Sequence, residues 1–266
     1  MVAMAFLLLS LNCEVRILIK TAFASSIGRI RKSNQDSVQV FKNKKNALLA
    51  IVCDGMGGHQ GGDVASTMAV SHLGHNFGVT DFYDSNSARK WLNVQLSNEN
   101  ETILRTADRF PDLNGMGTTI VLAVVFNDEA LIAHLGDSRA YGYSDGQFVQ
   151  LVEDHSLVNE LVKLGQITKQ QARNHPQKNI ITQSLGVSST IDPEYKQIAL
   201  NDNDIILLCT DGLTNSLSDP QIQQILATKD LSLKSRCQKL IDEANRLGGE
   251  DNITACLILN EGGDKQ

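Results

Sequence analysis

The sequence predicts an α+β sandwich, in which two mainly antiparallel sheets pack together and carry helices on their outer faces. Stretches of short apolar runs alternate with pairs of longer amphipathic segments, whereas a parallel sheet alternates single strands with single helices. The chain has 266 residues, of which 42% are hydrophobic and 20% are charged. This length and composition are typical of a globular chain with a sizeable core, and they argue against disorder.

The chain opens with an apolar segment, Met1–Asn12, which is far shorter than the ~20 residues that cross a bilayer. It lacks the basic region and the small-residue cleavage site of a secretory signal. We interpret residues 1–14 as an N-terminal extension, for which a true start at Val15, a peripheral anchor and an extra strand are open alternatives. No repeat or linker divides the remainder, so residues 15–260 are expected to form one domain and residues 261–266 a frayed tail.

The stretch that organises the rest is Ala47–Cys53, which leads into the glycine-rich loop DGMGGH at 54–59. An unbroken apolar run of this length is typical of a strand that is buried on both faces. The strand delivers Asp54 into a loop where Gly55 has no side chain to keep a ligand away from its carbonyl. A carboxylate beside a carbonyl suits Mg²⁺ or Mn²⁺, which prefer oxygen ligands. For this loop taken alone, an ordinary polar turn is the alternative.

Periodicity predicts the other elements. A first strand is expected at Arg16–Ala24, and apolar residues recur at helical spacing in Val64–Phe77 and Ala88–Phe110. Later strands are predicted at Ile120–Phe126, Leu131–Leu135, Arg139–Tyr143, Phe148–Leu151, Ile205–Cys209 and Ile253–Leu259, with hairpin turns at Asn127-Asp128 and Asp145-Gly146. Later helices are predicted at Leu157–Leu164, Lys169–Asn174, Asp219–Ala227 and Ser232–Leu247.

Two of these strands also have an aspartate at one end. Ile205–Cys209 is followed by Asp211-Gly212, and Asp251 stands just before Ile253–Leu259. Neighbouring strands lie about 4.7–4.9 Å apart, so strands that share an edge with Asp54 would bring three carboxylates within reach of one ion. Carboxylates crowded in one place repel one another unless a cation neutralises them. The pattern therefore favours a metal site over three unrelated turns.

Charge and cysteine content narrow the possible classes. The formal net charge of −6 argues against a nucleic-acid partner, because phosphate binding normally comes with a basic face. The five cysteines are odd in number and form no C-x-x-C motif, and three of them lie inside apolar strands. We therefore expect reduced thiols and a cytoplasmic location.

Six motifs in order along the chain carry a family resemblance. They are GRIRKSNQD at 28–36, DGMGGH at 54–59, GDSRAY at 136–141, EDHSL at 153–157, CTDGLTN at 209–215 and GGEDNIT at 248–254. Together they resemble the metal-dependent protein phosphatases, the type-2C serine/threonine family, in its compact bacterial form. The resemblance spans roughly Ile17 to Leu259 and implies a four-layer α-β-β-α sandwich. One of these motifs alone would be weak evidence for the family, whereas six motifs in the same order are strong evidence.

The resemblance also implies the metal ligands. It makes Asp54 the bridge between two tightly bound Mn²⁺ or Mg²⁺ ions, and it adds the carbonyl of Gly55 to one of them. Asp211 and Asp251 complete the second ion. Asp137, together with Asp211, is assigned to a third and weaker ion.

Two further residues are assigned to catalysis by the resemblance. Arg31 is expected to grip the phosphate, and Asp36 to belong to the metal centre and to orient the metal-bound water. Gln35 stands where many relatives carry glutamate, so no acidic role is transferred to it. His155 and His175 are interpreted as structural or surface histidines and not as ligands. His59 adjoins the metal loop, where relatives also have a histidine, and its role is left open.

The implied function is hydrolysis of phosphoserine and phosphothreonine in proteins by a metal-activated water. The expected partners are phosphorylated proteins, among them a serine/threonine kinase and its substrates, for a monomer with no integral membrane span. The alternative is a catalytically silent phosphoprotein-binding or regulatory domain on the same fold, which would lack at least one metal carboxylate. All five acids are present. Another Mg²⁺-dependent hydrolase is disfavoured because the chain has no P-loop.

Overall fold

The computed structural model describes residues 18–57 and 61–262. It contains two antiparallel sheets packed face to face, with helices against their outer faces. The predicted α+β fold and its four-layer order are therefore confirmed. The interpretations of residues 1–14 and of His59 concern positions outside the described residues, and so does most of the predicted tail.

The strands and helices are numbered here in chain order. The strands are β1 (Ile19–Ser26), β2 (Asp36–Lys42), β3 (Leu48–Met56), β4 (Gly117–Thr118), β5 (Ile120–Val125), β6 (Glu129–Leu135), β7 (Arg139–Ser144), β8 (Gln147–Gln150), β9 (Glu194–Ala199), β10 (Ile205–Cys209) and β11 (Ile253–Asn260). The helices are α1 (Gly61–Gly78), α2 (Ser85–Arg109), α3 (Leu157–Lys163), α4 (Lys169–Arg173), α5 (Asp211–Ser216), α6 (Asp219–Leu226) and α7 (Leu233–Arg246), and a short 3₁₀ turn covers Pro111–Leu113.

The first sheet has the strand order β1-β11-β10-β7-β8, and the second has the order β2-β3-β5-β6-β9, with β4 pairing the end of β3. Every ladder is antiparallel. The hairpin between β7 and β8 turns at Asp145 and Gly146, both of which have positive φ (47° and 77°). This is the left-handed backbone that an Asp-Gly hairpin turn requires.

Three apolar layers hold the sandwich together. One lies between the sheets and contains Ala50 and Val52 of β3, facing Ile206 and Leu208 of β10. A second lies between the second sheet and helices α1 and α2, and a third lies between the first sheet and helices α5 to α7. Because β3 touches a layer on each face, its residues from Leu48 to Cys53 are all buried. This explains the unbroken apolar run in its sequence.

Three strands and one helix were not predicted from the sequence. Strands β2 and β9 are the edges of the second sheet, and their DSVQVFK and EYKQIA sequences are only partly buried. Edge strands face solvent on one side, so their apolar pattern is weak. Strand β4 has only two residues, and α5 is a helix of six residues that begins at Asp211. Elements as short as these leave little periodicity to detect.

The ends of the other elements agree with the predictions to within a few residues. Helix α2 begins earlier than predicted, because the side chain of Asp84 caps it by accepting a hydrogen bond from the backbone N–H of Ser87. At the C-terminal end, the N–H of Glu261 donates to the carbonyl of Leu18 across 2.9 Å. The first residue of the expected tail is therefore bonded to the chain that precedes β1. Within the described ranges, no helix combines the length and the apolar character that crossing a membrane requires.

Candidate metal centre

The aspartates selected from the sequence converge where the two sheets meet at one end of the sandwich. The sequence predicted that the contributing strands share one sheet edge, but they belong to two different sheets. Asp54 lies in β3 of the second sheet, whereas Asp211 follows β10 and Asp251 precedes β11 in the first sheet. The centre is therefore assembled between the sheets, because each sheet supplies part of the acid set.

The main chain of Asp54 is fixed by its neighbours. Its N–H donates to Oγ1 of Thr119, 3.0 Å away, and its carbonyl accepts from the N–H of Thr119 and from Oγ1 of Thr118, each at 2.9 Å. Thr119 also shares a 2.7 Å hydrogen bond with Oγ of Ser138, the residue after Asp137. These bonds hold the backbone of Asp54 and leave its carboxylate for a ligand.

Asp36 begins β2 directly opposite Asp54 in the β2–β3 ladder. It is buried, and its Oδ2 accepts hydrogen bonds from Oγ1 of Thr210 (2.9 Å) and Oγ1 of Thr254 (2.7 Å). These threonines belong to the opposite sheet, so Asp36 bonds across the sandwich. Its Oδ1 is also buried, and no donor among the described residues reaches it.

Gly55 is required by a close backbone approach. A Cβ added to it would lie 2.0 Å from the carbonyl oxygen of Gly62 in the first turn of α1, and 2.6 Å from the carbonyl oxygen of Gln35. The N–H of Gly55 also donates to that Gln35 carbonyl across 3.1 Å. The tight packing of α1 on the end of β3 therefore excludes any side chain at this position.

Asp137 lies in the turn between β6 and β7. The preceding residue, Gly136, has a φ of +117° and packs against Thr119, where an added Cβ would lie 2.6 Å from the threonine Cβ. Oδ1 of Asp137 is buried, and no donor among the described residues reaches it. This turn therefore presents a second carboxylate oxygen that is shielded from water and has no partner in the described part of the chain.

Asp211 and Asp251 come from neighbouring strands of the first sheet. Oδ2 of Asp211 accepts from Nδ2 of Asn215, 2.8 Å away, while Oδ1 of Asp251 accepts from the N–H of Asn252 at the same distance. Asn252 also holds the loop before β2: its Nδ2 donates to the carbonyls of Ile27 and Ser33, at 2.9 and 3.0 Å. This loop carries Arg31.

Arg31 is the cation that contacts the acids. Its Nη2 donates to Oδ2 of Asp251 across 2.7 Å, and 52% of its side chain remains exposed. This hydrogen bond, together with the charges of Asp251, Asp54 and Asp211, raises the pKa of the guanidinium. The arginine therefore stands at the solvent side of the acid set, where an anion can reach it.

The electrostatics of the centre are unfavourable for free carboxylates. Burial is the main cause that raises the pKa of Asp54 well above its usual range, and the charges of Asp36, Asp211, Asp137 and Asp251 raise it further. Burial likewise raises the pKa of Asp36 to about 7 and that of Asp137 to about 8. Groups that resist ionisation in this way are suited to binding cations, which supply the missing charge.

The donor set fits divalent cations that prefer oxygen. Every candidate ligand offers oxygen, and two of the carboxylate oxygens are buried with no hydrogen-bond donor in the ranges 18–57 and 61–262. In the part of the chain that the structure describes, no three of these acids place oxygens within 4.8 Å of one another. The assignment of the individual ligands stays a prediction.

Sequence reasoning missed three residues that position the site. Thr210, Thr254 and Asn252 all bond to the loop or the strand that carries Arg31 and Asp36. Each of them lies within one of the motifs, next to a selected aspartate or a few residues from it. The available signal was this proximity, but their roles depend on contacts between residues more than 170 positions apart.

Two sheets here bring buried carboxylates together next to an arginine. This arrangement is suited to binding divalent metal ions and a phosphate group. Known proteins extend this assignment. A family model described as protein phosphatase 2C matches residues 29–247. The serine/threonine phosphatase stp of Listeria monocytogenes is 42% identical over 237 residues, which cover 89% of this chain and 94% of that protein.

Solved structures give the same result. The serine/threonine phosphatase of S. agalactiae superposes with a TM-score of 0.88 at 41% identity, covering 91% of this chain and 99% of that one. The catalytic domain of the serine threonine protein phosphatase PstP, in complex with 2 manganese ions, gives a TM-score of 0.79 at 30% identity, covering 91% and 98%. The chain belongs to the protein phosphatase 2C family. The predicted enzyme class, a protein serine/threonine phosphatase, is confirmed.

Proposed function

We propose that the acidic centre binds two Mn²⁺ or Mg²⁺ ions tightly and a third more weakly, and that the chain uses them to hydrolyse phosphoserine and phosphothreonine in proteins. The observation that carries this proposal is the convergence of acids from both sheets, in which no described residue donates to the buried carboxylate oxygens of Asp36 and Asp137. The two manganese ions of the related PstP structure support the choice of metal. The presence of all five acids disfavours a catalytically silent domain.

The proposed ligands follow the family resemblance, and the mutual charges of these side chains support the choice. Asp54 would help to hold both tight ions, and its closeness to the other acids, whose charges raise its pKa, supports this role. The carbonyl of Gly55 is proposed for one of these ions, and Asp211 and Asp251 for the other. Asp137 is proposed to hold the third ion together with Asp211. The two residues are close enough for the charge of Asp211 to raise the pKa of Asp137.

When bound, such ions would supply a nucleophilic water at neutral pH and would neutralise the phosphoryl oxygens. The chain itself binds and orients. Arg31 donates to two phosphate oxygens, as a guanidinium can, and gives up its contact with Asp251 to do so. Asp36, which Thr210 and Thr254 hold in place, accepts a hydrogen bond from the attacking water and sets its direction. No protein nucleophile is needed for this chemistry.

The proposal is tested by hydrolysis of p-nitrophenyl phosphate and of a phosphothreonine peptide, with Mn²⁺ and with a chelator. Asp54→Asn and Asp211→Asn keep the side-chain shape and remove the charge, so both should lose nearly all turnover while remaining folded. Asp145→Asn is the matched control, because asparagine tolerates the left-handed backbone of that hairpin turn. Substantial Mn²⁺-dependent turnover by Asp54→Asn or Asp211→Asn would exclude this centre.

The proposed substrates are phosphoproteins, among them a serine/threonine kinase that autophosphorylates and the targets of that kinase. Support comes from the relatives that carry the name serine/threonine phosphatase. Release of phosphate from a threonine-autophosphorylated kinase, compared with the same kinase phosphorylated on tyrosine, tests this assignment. Equal release from both would contradict it.

A cytoplasmic location and a monomeric state are proposed as well. Cys53, Cys209, Cys237 and Cys256 are free and buried, as expected of a chain kept in a reducing compartment. We also propose that residues 15–260 act as one catalytic domain and that residues 1–14 lie outside it. Light scattering measures the mass in solution, and thiol titration of freshly lysed cells measures the redox state of the cysteines.

A further inference from the structure

A second cluster of possible metal ligands lies outside the acidic centre. His134 is in β6 and Glu194 begins β9, and the two residues face each other in the ladder between these strands. His155 follows β8, and its ring centroid is 4.6 Å from that of His134. One ligand atom from each of the three side chains lies within 4.8 Å of the other two. Three elements thus bring two imidazoles and a carboxylate together.

His134 is the unusual member of this cluster. Its side chain is completely buried, and neither Nδ1 nor Nε2 has a hydrogen-bond partner among the described residues. Buried polar atoms are normally paired, because an unpaired one has lost its hydrogen bonds to water without replacement. Its Nδ1 faces Oε2 of Glu194 at 3.8 Å, which is too long for a hydrogen bond. Among the described residues, both ring nitrogens of His134 are therefore available to a ligand.

We propose that His134, His155 and Glu194 form a second metal site, which binds Zn²⁺. This reverses the interpretation of His155 as a structural or surface histidine. Two imidazoles and one carboxylate are a known type of zinc ligand set, in which the fourth position is open to water. Imidazole nitrogen favours zinc, whereas sites made of oxygen alone favour magnesium and manganese. The two centres of this protein thus select different ions.

The distances are close to those of an occupied site. Oε2 of Glu194 is 3.8 Å from Nδ1 of His134 and 4.0 Å from Nε2 of His155. Ligand atoms at 2.0–2.1 Å from a tetrahedral zinc ion are roughly 3.4 Å apart, so these two pairs need to close by about half an ångström. The side chains of Glu194 and His155 are 35% and 12% exposed, and both can move towards the buried ring of His134.

The protonation of His155 suits this role. Burial, with a smaller contribution from His134, lowers the pKa of His155 to about 4, so the ring is neutral near pH 7 and ready to coordinate. Its Nδ1 accepts from the N–H of Gly136 across 3.3 Å. Zinc on Nε2 puts the ring proton on Nδ1, so this long and weak contact is lost on binding.

Zinc at this position would join the sheet to the segment that carries α3 and α4. The N–H of His155 already donates to the carbonyl of Gly136 across 2.7 Å, and its carbonyl accepts from the N–H of Thr182 across 2.8 Å. Fixing the ring of His155 should steady the base of that segment. Hydrogen exchange at the amide of Thr182 is therefore expected to slow when zinc binds.

The experiment uses the full chain with Mg²⁺ in excess, so that the acidic centre is filled, and adds Zn²⁺ in stepwise amounts. Nitrogen NMR of labelled histidine rings reports which rings coordinate, and equilibrium dialysis gives the affinity. Glu194→Gln and His155→Gln remove one ligand each, and His75→Gln, on the exposed face of α1, is the matched control. Asp211→Asn changes the acidic centre alone, so it shows whether the zinc ion binds there or at the histidine cluster.

We expect one zinc ion, with the ring signals of His134 and His155 shifted and that of His75 unchanged. Affinity should fall by about tenfold or more in Glu194→Gln, as metal sites lose on that scale when even an outer partner is removed. Zinc binding should persist in Asp211→Asn. The proposal is overturned if no histidine ring responds in the full chain, or if zinc binding disappears in Asp211→Asn alone. The ring signals need no substitution, so they decide the question even if His155→Gln does not fold.

Discussion

Arg31 and Asp251 are joined by a hydrogen bond of 2.7 Å, so the residue proposed to bind phosphate neutralises one of the proposed metal ligands. Asp251 therefore has two competing partners, the guanidinium and a cation. The side chains of Arg31 and Asp251 are 52% and 35% exposed, so solvent screening limits the strength of this ion pair. This competition predicts opposite effects of one substitution on substrate and on metal.

Arg31→Ala should raise KM for a phosphothreonine peptide about tenfold, near the low end of the roughly 1.5–3 kcal/mol of a charge-assisted hydrogen bond. The value of kcat should change much less. Affinity for Mn²⁺ should stay the same or increase, because Asp251 no longer has a guanidinium on it. Steady-state kinetics and a calorimetric Mn²⁺ titration measure the two effects. Lys32→Ala, which removes the neighbouring charge, is the control, and weaker Mn²⁺ binding by Arg31→Ala would contradict the competition.

The raised pKa values of Asp36 and Asp137 predict how chelator-treated protein responds to pH. In the folded chain these groups hold their protons up to about pH 7 and 8, whereas unfolded aspartate loses its proton near ~3.9. The folded state therefore binds more protons between these values, and its stability must fall as the pH rises from about 4 to about 8.

Thermal unfolding in the presence of a chelator should accordingly show a lower melting temperature at pH 8 than at pH 6. Added Mn²⁺ should reverse this trend, because metal binding requires ionised carboxylates and strengthens as the pH rises. Asp36→Asn should flatten the chelator curve. A melting temperature that increases from pH 6 to pH 8 in chelator would show that the carboxylates are not under this strain.

The threonines that bond Asp36 predict a positioning effect. Thr210→Val and Thr254→Val keep the shape of the side chain and remove one hydrogen bond each from Oδ2 of Asp36. Each should lower stability by about 1–3 kcal/mol, the cost of weakening a buried polar group, and should reduce kcat more than it changes KM. Thr102→Val on the surface of α2 is the control. Unchanged kcat in both variants would mean that the orientation of Asp36 does not limit hydrolysis.

Asp137 predicts a separate effect on the third ion. Asp137→Ala should leave the two tight Mn²⁺ ions in place and slow hydrolysis of phosphoproteins, with part of the loss recovered at high Mn²⁺ concentration. Kinetics across an Mn²⁺ titration, for a phosphoprotein and for p-nitrophenyl phosphate, measure this. Wild-type behaviour at every Mn²⁺ concentration would mean that Asp137 only shapes the turn between β6 and β7.

The proposed domain boundary is tested by truncation. A chain that starts at Val15, replaced there by methionine, should melt and turn over like the full chain, because β1 begins at Ile19 and stays complete. A chain that starts at Ala22 loses three of the eight residues of β1 and their pairing with the end of β11, so it should be destabilised. Loss of activity or solubility on removing residues 1–14 alone would mean that the extension is part of the domain.

The sequence predicted the central strands because the layers on both sides bury nearly every residue of β3, β5 and β10. It did not predict β2 and β9, since an edge strand shows a buried pattern only in part. The acids were found because an aspartate next to an apolar strand has a recognisable chemistry. The hydroxyls of Thr210 and Thr254 have no such mark, and their role exists only once two distant strands are packed together.

Asp36 and Asp54 come from one sheet, and Asp211 and Asp251 come from the other. The distances between these carboxylates therefore depend on how the two sheets are aligned. Sliding one sheet past the other by a single residue, about 3.3 Å, exceeds the tolerance of any hydrogen bond or metal–oxygen bond. Substitutions that repack the apolar layer between the sheets, for instance at Val52 or Leu208, should therefore lower the metal affinity before they unfold the protein. Enzyme activity would in this way serve as a sensitive gauge of core alignment, well before the fold itself gives way.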